Sequence, residues 1–198
     1  MTEEDIKMLE IIVQIITLVV SAITLFVTII IPNRVMKNQR YTGLMSTYMS
    51  LEFAHAFQGV IEFFYDDCNC DVDQISLVYK KRYNKDRKNL KGNGTNKICI
   101  QDVLHYQRRL LNNYFYELEM CRKSSFFLRR KIHKEWTTNE AWVVKILIYM
   151  NRTVDSDPEL FKDISSIKHE VMPKTRGLSK HLENFYNALK SESRYMQV

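Results

Sequence analysis

The sequence predicts an all-α protein, with one membrane-crossing helix at the N-terminus and a helical domain after it. Three observations lead there. Ile11 to Ile31 is a run of 21 residues without a charge. Glycine and proline, which punctuate short strands and turns, number only five and three in 198 residues. Beyond the run, apolar residues recur at steps of three and four, the spacing of one helix face.

The uncharged run comes first. At about 1.5 Å per residue it spans roughly 30 Å, the thickness of a bilayer's hydrocarbon core. A cleaved signal peptide has a basic start, a shorter apolar stretch and a small-residue cleavage site. Here Glu3, Glu4, Asp5 and Glu10 outweigh Lys7, and the run ends in Ile-Ile-Ile-Pro. A retained transmembrane helix is expected. Its polar members, Gln14, Thr17, Ser21, Thr24 and Thr28, step by three, four, three and four. That heptad seam is the side by which a helix meets neighbouring helices. Lys7 and Glu10 extend it downward. Repeated around an axis by identical chains, the seam would form rings of hydroxyls with Gln14, Glu10 and Lys7 near one mouth, the arrangement by which pores set selectivity. The same hydroxyls also suit helix–helix contact, or bonds to their own backbone carbonyls.

After Pro32 come Arg34, Lys37 and Arg40. Basic residues beside a span stay on the cytoplasmic side and attract anionic lipid headgroups. The expected organisation is a short acidic extracytoplasmic N-terminus (1–10), a transmembrane helix (11–31), a basic juxtamembrane segment (32–40) and a cytoplasmic helical domain (41–198). The cell's inner membrane is the expected location.

The domain reads as a series of helices. The first is expected from Tyr41 to Asp66, with Met45, Met49, Phe53, Phe57, Ile61 and Phe64 on its buried side. An acidic patch follows (Asp66, Asp67, Asp71, Asp73), then a basic stretch from Lys80 to Lys91, read as a solvated loop or as an RNA contact in which Tyr79 and Tyr83 stack on bases. Gly92 to Asn96 is the clearest loop. A strong helix is expected from Gln101 to Lys123, burying Val103, Leu104, Leu111, Tyr114, Phe115 and Leu118. Another stretch runs from Ser125 to Trp136. Thr137-Thr138-Asn139-Glu140 has capping-box form and should open a helix from Ala141 to Arg152. Asp157-Pro158-Glu159 is a further start signal. The last helix is expected from Ser179 to Ser191, burying Leu182, Phe185, Tyr186 and Leu189.

The net formal charge is +6; the first ten residues carry −3, so the remainder is strongly basic. Such a domain is drawn to RNA or anionic lipid. Cys68, Cys70, Cys99 and Cys121 lack the paired spacing of a zinc site. The sequence has no phosphate-binding glycine loop and no nucleophile elbow. No metal and no cofactor are expected.

One chemical motif stands out: Arg176 and His181, separated by four residues near the C-terminus. The spacing resembles the R-x4-H motif of HEPN ribonucleases, which implies proton transfer by His181 and stabilisation of phosphorane charge by Arg176. A purely structural role fits them equally, with Arg176 on a carboxylate or helix end and His181 packed in a first turn. Gly177 departs from the polar residue that active members commonly carry after the Arg, so enzyme activity is left open. With its N-terminal span, short helical domain and late motif, the chain resembles the small membrane accessory proteins of type VI-B CRISPR RNA-targeting systems. The resemblance implies a HEPN-like bundle, self-assembly into a membrane pore, and antiviral defence in which altered permeability enhances interference by an RNA-guided effector. It also implies the alternative of a membrane-tethered, metal-independent endoribonuclease working as a homo-oligomer.

Overall fold

The computed structural model describes residues 3–91, 99–136, 138–161 and 178–193. Every regular element among them is helical. The chain divides into two compact units, 1–42 and 43–198.

The first unit is built from α1 (Glu3–Leu25), a π turn (Phe26–Ile30) and most of α2 (Ile31–Tyr48). The helix does not stop at Pro32 as its sequence suggests. A proline in a helix lacks an N–H and presses on the carbonyl four residues earlier, here that of Thr28. The wide turn lies immediately before it, and the Ile31 N–H reaches back to the Phe26 carbonyl. This local loosening lets the helix continue past the proline. The helical stretch Ile6–Tyr48 contains a window long and apolar enough to cross a membrane, and none of that window is buried.

In the second unit the expected helix from Tyr41 to Asp66 is broken at Met49 and Ser50. Ser50 is extended and its hydroxyl accepts the Phe53 N–H at 3.2 Å, an N-cap that starts α3 (Leu51–Glu62) afresh. Met49, expected inside, is 82% exposed. Phe53, Ala56, Val60, Phe63 and Phe64 form the buried side. A second π turn (Phe63–Asp67) leads to Asn69 and Cys70, both at positive φ, which turn the chain towards α4 (Ile75–Lys91).

The basic stretch is therefore helix, not loop. Ile75, Tyr79, Tyr83 and Asp86 make its inner stripe at steps of four and three, with lysines outward. Base stacking by Tyr79 and Tyr83 is ruled out by this burial: both are fully enclosed against Phe161 and His105. A short 3-10 turn (Ile100–Asp102) precedes α5 (Leu104–Ser124), which buries the expected residues from Val103 to Leu118. Helix α6 (Phe126–Glu135), α7 (Thr138–Ser156) and α8 (Leu178–Ser193) complete the bundle. Helix α5 is central, touching α3, α4, α6, α7 and α8. Leu182, Phe185 and Leu189 of α8 are buried as expected, whereas Tyr186, expected with them, is partly exposed. Aromatic rings from α2, α3, α5 and α8 (Tyr48, Phe53, Tyr114, Phe115, Phe185), with Trp136 just after α6, pack at tilted and edge-to-face angles between them. The loop Gly92 to Asn96, Thr137 of the capping box and everything from 162 to 177 lie outside the described residues.

Candidate functional site

The seam on the N-terminal helix resolves into two kinds of residue. Thr17, Thr24 and Thr28 each donate their hydroxyl to the carbonyl four residues earlier, at 2.8, 2.8 and 2.6 Å. Each is thus satisfied within its own helix and needs no neighbour. Gln14 and Ser21 make no such bond among the described residues. Gln14 matters more, because a carboxamide brings two donors and an acceptor into an apolar segment. At the acidic end Lys7 pairs with Glu3 at 3.3 Å, and Glu10 is exposed. Arg34, Lys37 and Arg40 are exposed on α2.

Of the chemical pair, Arg176 lies outside the described residues. His181 is in the first turn of α8, with the Tyr116 ring edge-on at 5.1 Å. Its Nδ1 is enclosed and has no hydrogen-bond partner among the described residues. The structure places His181 beside the central helix α5.

Two polar features were not foreseen. The first is buried. Arg108 on α5 is 2% exposed and donates to the Asn151 side-chain oxygen from α7. Asn112, one turn on, exchanges two hydrogen bonds with Asn151 at 2.7 and 3.1 Å. The Tyr79 hydroxyl bonds Arg108 and meets His105 Nδ1 at 2.9 Å. The buried guanidinium is held by one amide and a phenol, with Asn112 backing that amide and Nε left without a hydrogen-bond partner among the described residues. Burial, and then the charges of Arg108 and Arg109, hold the His105 imidazole well below its ordinary pKa. Burial lifts the Tyr79 phenol to about 12, against the opposing pull of Arg108. His105 is thus a neutral fixed acceptor or donor rather than a proton shuttle.

The second is a cleft of about 340 Å³ lined from α3, the second π turn, α4 and the start of α5. Glu62, Asp66, Asp67 and Asp102 supply carboxylates, with Arg82 and His55 opposite. Arg82 reaches Asp67 at 3.3 Å and Asp86 at 3.4 Å, and His55 reaches Asp102 at 3.4 Å. Asp86 sits behind Arg82, its pKa raised by burial despite that arginine and the Leu104 N–H. On a basic protein this end is acidic, so it repels phosphates and anionic headgroups. Cys68, next to it, is buried, with its thiol raised to about 12 by burial and then by Asp67 and Asp71, which makes it inert as a nucleophile. No grouping of three metal-ligating side chains occurs among the described residues.

No family model matches this chain, and no curated protein or solved structure is significantly similar to it.

Proposed function

We propose that this protein is a membrane-anchored effector that assembles with copies of itself through the Gln14–Thr28 side of its N-terminal helix and opens a path across the bilayer. Its N-terminus lies outside, and its basic helical domain lies in the cytoplasm beside an RNA-guided RNA-targeting CRISPR effector, whose antiviral action the permeability change enhances. The supporting observation is an exposed apolar window whose uncharged run, Ile11 to Ile31, carries one carboxamide, Gln14, with no hydrogen bond among the described residues. In hydrocarbon such a group gains roughly 1 kcal/mol from a partner on another helix, or from water in a lumen. Since three of the seam hydroxyls are already bonded, Gln14 and Ser21 should carry the assembly. The test is dye uptake and phage protection in cells expressing Gln14→Leu with Ser21→Leu. Loss of both responses is expected; uptake and protection at wild-type level would overturn the reading.

The enclosed, unpartnered Nδ1 of His181 supports a second reading, a tethered HEPN-type ribonuclease that builds its site from two copies. RNA cleavage by the purified protein, abolished in His181→Ala, is its signature. Intact RNA in both cases would end it.

A further inference from the structure

The geometry points to α6 as a docking face for a bilayer surface rich in anionic lipid. Phe126 and Phe127 open this helix with 73% and 68% of their surface exposed, ring against ring. Phe126, Arg130 and Lys134 follow one another at steps of four, with Phe127 and Lys131 alongside. Leu128 and Ile132 face the core on the other side. Arg129 is also exposed, as is Lys123 just before the helix. The sole carboxylate of α6, Glu135, lies 3.9 Å from Lys131 at the far end. Two largely exposed aromatic rings rimmed by cations match an interfacial helix, whose rings enter the acyl boundary while the cations meet lipid phosphates.

Charge elsewhere in the bundle fixes the choice of occupant. The acidic cleft occupies the start of α5, and Phe126 follows its end, about 30 Å away by helix length. An anionic surface would attract one end of the bundle and repel the other. A face-to-face second copy would oppose like charges. A head-to-tail copy would bring the phenylalanines to a cleft lined chiefly by charged and amide side chains. RNA would satisfy the cations but leave two exposed aromatic side chains on a helix to account for. The inference does not depend on the N-terminal helix crossing the membrane.

The test places tryptophans in the full chain, reconstituted in nanodiscs containing brominated lipid, and reads quenching above the wild-type baseline. Phe127→Trp reports on α6 and Val20→Trp on the N-terminal helix. Both positions are exposed, so the fold should tolerate the changes. Quenching of Phe127→Trp in discs containing phosphatidylglycerol, lost in purely zwitterionic discs and lost on adding Arg130→Glu and Lys134→Glu, is the expected result. No quenching at position 127 in either lipid overturns the inference, as does quenching indifferent to lipid charge. Shielding of position 127 that needs added RNA overturns it in favour of nucleic acid. Shielding abolished by Asp66→Lys with Asp102→Lys overturns it in favour of a second copy. If Val20→Trp stays unquenched while Phe127→Trp is quenched, the surface contact stands and the transmembrane reading fails.

Discussion

The N-terminal helix and the helical domain invert each other's chemistry. From Ile11 to Ile31 the helix shows apolar side chains to its surroundings and settles most of its hydroxyls internally. The domain shows lysines and arginines outward and encloses an arginine, a histidine and two asparagines at its centre. The apolar surface of the first suits lipid and the charged surface of the second suits water. A charge placed in the first would be costly there, whereas the second already encloses one, Arg108.

The largest effects should come from testing that inversion directly. Val20→Lys puts a charge at mid-span, which costs roughly 3 kcal/mol of insertion. Its share in the membrane fraction, read by carbonate extraction, should fall steeply while the domain stays folded. Arg108→Ala does the opposite: it removes a charge from the core, leaving a cavity and an Asn151 oxygen with Asn112 as its remaining donor. Chemical denaturation should show a loss of roughly 3 kcal/mol, with membrane insertion unchanged.

Next comes Gly59→Ala. An added Cβ would lie 2.2 Å from the Gln107 side-chain oxygen, and Gln107 is itself held by a bond to the Gln101 carbonyl at 2.9 Å. The α3–α5 contact should loosen by about 1–2 kcal/mol, as a lower denaturation midpoint would show.

Acid provides a finer probe of the core. His105 is held neutral in the folded domain, with its pKa depressed below the unfolded value near 6.5. The unfolded chain therefore takes up a proton first as pH falls. Stability is full above about pH 6.5 and declines below it, by at most about 1.4 kcal/mol per pH unit, until the folded pKa is reached. His105→Gln should flatten that slope between pH 6.5 and 5. A slope unchanged by the substitution would assign it to other groups.

The smallest effect is expected at Thr17, Thr24 and Thr28. Changed together to Val, they should alter association by about 1 kcal/mol or less, because their hydroxyls already bond within the helix.

Much of this was legible in the sequence for a physical reason: helix periodicity and an uncharged run are local signals. The inner face of α5 was read residue by residue from apolar spacing, and that of α8 apart from Tyr186, which is partly exposed. Where the reading failed, a non-local or competing term decided. The helix passes Pro32 because a π turn absorbs its clash. The break at Met49 follows from the Ser50 cap, which outweighs an unbroken apolar pattern. Tyr79 and Tyr83 looked like stacking rings beside lysines, yet their four-residue step with Ile75 was the trace of a buried stripe. The Arg108–Asn112–Asn151 cluster joins helices 39 residues apart in sequence or more. Its one local hint was that Arg108, Asn112, Phe115 and Glu119 share a helix face. The acidic cleft needed Glu62 and Asp102 brought to the visible Asp66–Asp67 pair, which only the packing of α3 on α5 achieves.

Central to the proposed function is association of the N-terminal helices through Gln14. Single-molecule photobleaching of full-length protein, labelled once per chain and held in lipid nanodiscs, counts the copies directly. Several bleaching steps per disc for the wild type, reduced to one by Gln14→Leu, are predicted. A wild-type protein that bleaches in a single step at every protein-to-lipid ratio would contradict it.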